Sequence, residues 1–357
     1  MELYLLDKNF QICGIIDDFS SLIWNRKYYD CGNFKLQYNQ DLSSQFANAV
    51  YIYSKNFREI GILETFDYKK TAKGLQINRS GRFLESKISQ RVISTTKTYK
   101  NQTTENIIRN LVDTFIINGA SATINLTLGP ANGLGTRRTM QVTGDNVMSK
   151  IYELCEEEEI SIRINYDFTN NNLVFEVWQG LDRTSAQNIN NYAVFSRNFE
   201  NILEDKYSTD DIKYCNYAYV LGEVYDAEGT AIRTSEIVNM VGVNEERREL
   251  YVDARDIQKE EETTDSEYHQ MLRQRGIDKL KENSKIEISN FKIDSISNLV
   301  YKQDFDLGDK VTYKNEDLGI IIDNRITEIT ESYENGKKTI DVTFGKDYNI
   351  KRIKEMI

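Results

Sequence analysis

Short apolar runs broken by polar turns open the chain. In "MELYLLDKNFQICGIIDDFSSLIWNRKYYDCGNFKLQY" they predict strands near 2–6, 11–16, 20–27 and 33–38, with Lys8-Asn9 as the first turn. The pattern continues with strands near 49–53, 58–67 and 73–79. Closely spaced strands with short turns predict a small barrel or sandwich over 1–95.

The period then changes. Ile107, Ile108, Leu111, Val112, Phe115 and Ile116 form one helical stripe, started by Thr103 or Thr104 and ended at Asn118-Gly119. A second helix is expected over 145–158, begun by Asp145 and burying Val147, Met148, Ile151 and Leu154. Ile160, Ile162, Ile164, Tyr166 and Phe168 then alternate as a strand, and "TNNN" turns into "LVFEVW". Residues 96–200 therefore read as an inserted α+β domain. A hairpin turned at "DAEG" over 214–240 and a helix over 265–284, capped by Asp265, make 201–290 a hairpin-and-helix domain. The apolar stripe of that helix is thin. Strands return at 285–291, 309–314, 318–331 and 337–344, with Asn335-Gly336 as a hairpin turn. The fold class is mainly β with α+β, and 291–357 supplies the last strands. Beads on a string, or last strands returning to the first barrel, both fit this order.

Composition narrows the function classes. The 357 residues exceed one typical core, and 39% hydrophobic with 28% charged content suits a folded chain. The 22 tyrosines suit half-buried sheet surfaces. A net charge of −11 with no basic run argues against a conventional nucleic-acid binder, although an acidic wall would let DNA slide past. Cys13, Cys31, Cys155 and Cys215 lack metal or redox spacing and read as reduced thiols of a chain made in the cytosol. The charged N-terminus predicts no secretory leader, and no apolar run reaches the length of a membrane span, so no stable membrane binding is expected. A single proline leaves no Pro-rich linker.

Candidate chemistry is sparse. His269 is the lone histidine, in a charged helix, and reads as an ordinary surface or interface residue. The glycine-rich stretch "GPANGLGTRR", 129–138, places no lysine before Thr136 and has the wrong spacing for a dinucleotide loop; it reads as a flexible connection. The acidic runs "CEEEEI", 155–160, and "KEEETTD", 259–265, lack the alternation and glycine of a calcium loop. They read as solvated faces, with a partner surface as the alternative for the helix-ending Glu156 to Glu159, whose charge opposes the helix dipole. A glycosidase carboxylate pair is defined in space, not in sequence. The glycosylation triplets at Asn78, Asn101 and Asn125 carry weight only on a secretory route. No catalytic, cofactor-binding or metal-binding residue is assigned.

Five stretches, in order, resemble a known family: "YYDCGNFKLQY" (28–38), "SGRFLESKISQRVI" (80–93), "QVTGDNVMSKIYELC" (141–155), "ELYVDARDIQ" (249–258) and "DFDLGDKVTY" (304–313). They are similar to bacteriophage tail hub, or distal tail-associated, proteins of long-tailed phages and phage-derived particles of Gram-positive hosts. Each motif is weak alone; their order over nearly the whole chain carries the resemblance. It implies two tube-protein-like β-barrel domains per chain plus inserted α+β domains. It also implies a homotrimeric baseplate hub at the virion tail tip that adapts a sixfold tail tube to a threefold spike. The implied partners are the tail tube or distal tail protein, a spike or tip protein, the tape measure protein, and DNA only in passage. The family supplies no catalytic motif, so no enzyme and no cofactor is expected. Some relatives carry a hydrolase or receptor-binding extension; ending at Ile357, this chain is expected to leave those tasks to a separate protein. In this frame "DLGDKV" is a turn into a barrel strand, with Gly308 as the permissive residue and Asp306 and Asp309 bonding turn amides, and the ribbon 318–344 completes the second barrel. Trp24 is assigned to a core; Trp178 is open between core and interface. Phage and contractile bacteriocin-type particles both remain open, as do a tail-tip carbohydrate-binding adhesin and a tail-associated cell-wall hydrolase.

Overall fold

The computed structural model of the chain describes residues 1–72, 74–119, 125–167, 169–293, 298–334 and 336–345. Strand β1 (Leu3–Leu6) pairs antiparallel with β2 (Ile12–Ile16). Their turn is held by Asp7, whose carboxylate accepts the amides of Asn9 and Gln11. β3 (Ser21–Lys27) and β4 (Asn33–Tyr38) alternate strictly: Leu22, Trp24, Arg26, Phe34, Leu36 and Tyr38 point to one buried face. After the short helix α1 (Ser43–Phe46) come β5 (Tyr51–Tyr53), β6 (Gly61–Ile62), β7 (Thr65–Thr71) and β8 (Gly74–Arg82). The single strand expected over 58–67 is divided, because the chain turns a corner at Leu63-Glu64. The Leu63 amide still bonds Val50 in the covering sheet, whereas the Glu64 amide already bonds Ser80 in the next one.

The middle of the chain follows the helical stripes. β9 (Lys97–Thr103) leads into α2 (Thr104–Val112), capped by the Thr103 hydroxyl and prolonged by a wider turn over Asp113–Ile117. The predicted stripe is buried along both segments. β10 (Leu126–Leu128) and β11 (Arg137–Val142) precede α3 (Val147–Glu157). Asn146, not the expected Asp145, caps α3; its side chain accepts the amides of Met148 and Ser149. β12 (Ser161–Asp167) and β13 (Asn172–Trp178) pair antiparallel, and β10 joins β13 in parallel. Phe168 lies outside the described residues.

The last part starts with β14 (Val194–Ser196) and β15 (Ile202–Asp210). β16 (Tyr217–Tyr225), β17 (Ala231–Asn239) and β18 (Glu249–Asp253) form a separate sheet in the order β17-β16-β18. The helix α4 (Asp265–Glu282) packs on it. Thr264, rather than Asp265, caps α4 in a capping box: its hydroxyl accepts the Glu267 amide, and the Glu267 carboxylate accepts the Thr264 amide. β19 (Ile286–Ile293), β20 (Lys310–Asn315), β21 (Ile320–Glu334) and β22 (Lys337–Gly345) close the fold. Gly336 has the positive φ the hairpin turn needs; Asn335 lies outside the described residues.

One sheet organises everything else. Eight strands lie in a single row, β15-β19-β22-β21-β3-β4-β8-β7, and every pairing in it is antiparallel. The row joins the two ends of the sequence through β3 and β21, from Glu328 opposite Lys27 to Glu334 opposite Ser21. Over the first half, β3-β4-β8-β7, lies the sheet β2-β1-β5-β6, and the hydrophobic cluster between them continues into α2, α3, β12 and β13. Over the second half lie β14, β20 and the first part of β21, around Phe195, Phe291, Phe305, Tyr313 and Phe344. β21 serves both layers by bending at a bulge between Ile326 and Glu328.

The turn into β20 is as tight as the "DLGDKV" pattern predicts. Gly308 has φ +83°, the Asp306 carboxylate accepts the Leu307 amide, and Asp309 accepts the amides of Asp306 and Leu181. A methyl group on Gly308 would sit 2.4 Å from the Tyr28 ring. Gly308→Ala is expected to cost about 2–4 kcal/mol, adding left-handed strain to overpacking, read as a lower urea midpoint at unchanged slope.

Candidate assembly surface

Because strand side chains alternate, burying one face of the eight-strand row leaves the other face with its own composition. Its register positions include Ser21 and Asn25 on β3, Asn33 and Gln37 on β4, and Gln76, Asn78 and Ser80 on β8. Thr330 and Ser332 on β21 and Thr339 and Thr343 on β22 continue it. Uncharged polar groups and charges are mixed on it. Charges of both signs lie between them: Asp67, Glu204, Asp210, Glu328, Glu334 and Asp341 share the face with Lys27, Lys35, Lys69, Lys206, Lys337 and Arg82. With both signs present, the chain's net charge of −11 is not concentrated on this face. No single residue here stands out in the sequence. The available signal is that the polar partners of the alternating strands are Ser, Thr, Asn and Gln more than Glu and Lys.

The row ends in two open edges. β7 has all seven residues exposed, with Phe66 and Tyr68 at 55% and 57%. β15 is the opposite edge, with Leu203 exposed beside its bulge. An exposed edge strand is a template for pairing with another chain.

The stretches considered for chemistry are all used structurally. His269 Nδ1 lies 2.8 Å from the Glu236 carboxylate, which also takes Arg273. The glycine-rich loop is not a flexible connection. The buried Glu105 carboxylate accepts the amides of Asn132 and Leu134, so donors that would cradle a phosphate are already taken. Removing that carboxylate in Glu105→Ala leaves these amides unpaired. It is expected to cost about 2–3 kcal/mol and to admit protease cleavage within 129–136.

The acidic run 156–159 is solvated only in part. Glu157 and Glu158 are buried against Arg138, and Glu159 pairs with Arg325 at 3.0 Å. In the second acidic run Lys259 holds Asp265, and Glu260 accepts Thr98. Burial pushes the Cys31 and Cys155 thiols up, and none of the four cysteines is in a disulfide. Burial also pushes Glu85 up to about 7. This carboxyl accepts the Ile164 amide and lines a cavity of about 30 Å³, room for a water and not for a sugar. Among the described residues no group of three or more His, Cys, Asp or Glu is arranged to hold a metal ion, and no helix is long and apolar enough to cross a membrane. Of the glycosylation triplets, Asn78 is a wall position and Asn101 has a positive φ.

Trp24 is fully buried and stacks on Phe57 at 4.4 Å, as a core residue should. Trp178 is half-buried, edge-on to Tyr28 at 5.0 Å and beneath the Arg163 guanidinium. A second aromatic surface lies on the sheet face that α4 leaves open. Ile237, Tyr219 and Tyr251 stand side by side across its three strands, and Arg247 covers Tyr217 at 3.6 Å.

The family model of the Siphovirus ReqiPepy6 Gp37-like proteins matches residues 2–346. The chain belongs to this phage tail protein family. A comparison with curated proteins finds no match. Three solved structures share the fold of this Gp37-like chain. Prophage tail protein gp18 from Listeria monocytogenes EGD-e aligns with a TM-score of 0.59 at 13% identity, over 99% of this chain and 98% of that one. The tail protein from Neisseria meningitidis MC58 gives 0.60 at 11% identity, over 97% and 96%. The 43 kDa tail protein of prophage MuSo2 from Shewanella oneidensis gives 0.56 at 12% identity, over 96% and 98%. At such identities the likeness is one of fold, and it covers the whole architecture.

Proposed function

We propose that this Gp37-like protein is the tail hub: a homotrimeric ring at the tip of the tail, closed edge to edge through β7 and β15, acting by shape without catalytic turnover. The observation that carries the reading is the eight-strand antiparallel row with two open edges. In an alternating row of eight, the first and last strands run in opposite directions. A neighbour related by rotation about an axis along the strands therefore presents β15 antiparallel to β7, and the pattern continues without a break. Such contacts are heterologous, and they close into a threefold ring when each step turns a third of a circle. Three copies give twenty-four strands; at about 4.8 Å each, the backbone ring is about 37 Å across for upright strands and wider when they tilt.

The two halves of the row supply the symmetry argument. Each half is four strands backed by its own layer, so three chains offer six such units to a sixfold tube while keeping a threefold axis for a spike or tip protein. The tail tube or distal tail protein is the neighbour on the sixfold side. The polar face, with charges of both signs, lines the lumen, through which tape measure protein and DNA pass without adhering. A phage tail and a contractile bacteriocin-type particle both use such a part. A three-dimensional map of the assembled tail tip tests this: a threefold ring with β7 against β15 is expected, and any other stoichiometry or edge partner overturns it.

A second reading, a carbohydrate-binding tip adhesin, is favoured only by the Tyr219–Tyr251 surface, since flat exposed rings suit saccharide stacking. Retention of the chain on host-wall glycans would support it. The third reading, a hydrolase, has no open cleft around Glu85 to work in.

A further inference from the structure

Residues 211–285 are a unit apart. They carry their own core of Ala218, Val220, Val252, Tyr268, Met271 and Leu272, separate from the other two clusters. The packing inside is tight: a Cβ on Gly276 would lie 2.6 Å from Val220, and one on Gly222 2.7 Å from Leu272. The unit enters and leaves the body through one pair of adjacent strands, where Asp210 of β15 faces Ile286 of β19. A two-strand neck of this kind leaves the orientation of the unit to whatever else it touches.

What else it touches is polar. α4 lies against β11, and the contacts are hydrogen bonds and ion pairs. Gln141 and Gln258 exchange two bonds, Lys100 holds Glu267 at 3.1 Å, and Lys281 donates to the carbonyl of Glu157. At the centre is Arg138, with its side chain 1% exposed. It meets Glu157 at the end of α3, Glu158 just after it, and Asp278 from α4 at 3.6 Å. The remaining charged neighbours are Glu153 on α3 and Lys281 on α4, and Gln274 donates to Asp278. Three buried carboxyls thus share one guanidinium, while Arg138 Nε and one oxygen of Glu157 have no partner. Such a cluster is short of positive charge, and the cheapest remedy is to keep a proton.

We propose that residues 211–285 form an arm hinged on the β15–β19 neck and latched to α3 and β11 by the Arg138 cluster, and that the latch loosens when Glu157 and Asp278 are both ionised. Burial first raises both carboxyls, Glu157 to about 7; Asp278 adds to the rise at Glu157, and Glu153 adds to that at Asp278. The sign follows from linkage. The latched state holds a proton that an open, solvated Glu157 would already have released. The latch is therefore fully made below the ordinary carboxyl range and is lost as the pH rises through about 7. His269 takes no part, since its Nδ1 faces Glu236 on β17, a carboxylate that Arg273 of α4 also holds.

Hydrogen exchange on the full chain tests this, comparing wild type with Glu157→Gln/Asp278→Asn at the same pH so that intrinsic exchange chemistry cancels. At about pH 5 the two should protect α4 and β11 equally. At about pH 9, two units above the Glu157 transition, amides 271–282 and 137–142 of the wild type should exchange about tenfold faster than in the amide variant, which mimics the protonated pair. Strands β3 and β21 serve as the internal folding control, and the single Glu157→Gln variant repeats the test should the double variant lose their protection. Equal protection of wild type and variant at both pH values overturns the proposal. So does faster exchange of the variant at pH 5 with the control strands intact.

Discussion

Proline at either of two neighbouring positions on β7, Asp67→Pro or Tyr68→Pro, is expected to abolish ring assembly. The strand is an edge, so its amides alternate between β8 and the open side. Adjacent substitutions therefore separate two effects. One removes a donor that serves the β7–β8 hairpin; the other removes a donor that serves only a neighbouring chain. The second should leave the folded monomer nearly unchanged, because proline is tolerated on an edge facing solvent. In the ring it deletes a ladder bond and pushes the pyrrolidine into the neighbour's strand, three times over. With about 1 kcal/mol per lost hydrogen bond plus the clash, repeated at every interface, the closed species should vanish from mass photometry. Wild type should appear at three times 41.5 kDa, in tails or at assembling concentrations, and the variant at 41.5 kDa alone. A variant pair in which neither substitution lowers the trimer population would remove β7 from the interface, and with it the closed wall.

That wall could not be read from the chain, although most of its strands could. Alternation in 21–27 and 33–38 is visible because Leu22, Trp24, Phe34, Leu36 and Tyr38 recur at every second position, with Arg26 continuing the buried face, and β3 and β4 lie there. The helical stripe at Ile107 to Ile116 is equally direct. β7 blurred into β6 because Phe66 and Tyr68 alternate like core residues while standing exposed at an edge. β15 and β18 were missed: their alternation is carried by Lys, Glu, Asp and Tyr, whose burial depends on neighbours supplied from elsewhere. The join between β3 and β21, with Lys27 opposite Glu328, is a long-range pairing with no local cause, so nothing in the order of strands along the chain reveals it. The same limit explains the acidic run at 156–159. As sequence it is four carboxylates in water. Its partners Arg138 and Arg325 come from other strands, and only their convergence buries Glu157 and Glu158 and pairs the exposed Glu159. Glu105 teaches the converse: a glycine-rich loop that resembles an anion cradle already holds an anion, the chain's own.

Arg26→Leu is expected to be the most destabilising single change, because this side chain fastens the two ends of the sequence together. It is almost fully buried and makes three bonds: to Glu59 beside the first core at 2.7 Å, and to Asp306 at 2.6 Å and the Tyr301 hydroxyl at 2.8 Å, both from the far end of the chain. Leucine fills part of the volume but leaves Glu59 half-buried with only the weak 3.5 Å bond from Trp24. Breaking a buried pair from one side costs about 3–5 kcal/mol, mainly as the penalty of the stranded charge. Neutralising the carboxylates as well removes that penalty. The triple variant Arg26→Leu/Glu59→Gln/Asp306→Asn should therefore recover more than half of the loss, although each added change taken alone destabilises. Urea unfolding gives the magnitudes, and the slope reports whether the ends separate first. If Arg26 is the fastener, the single variant should show a biphasic curve with β3 and β21 exposed early, and the triple variant should regain one transition. A triple variant no more stable than the single one would mean that the guanidinium works by packing alone, and that the continuity of the wall rests on the β3–β21 ladder without it.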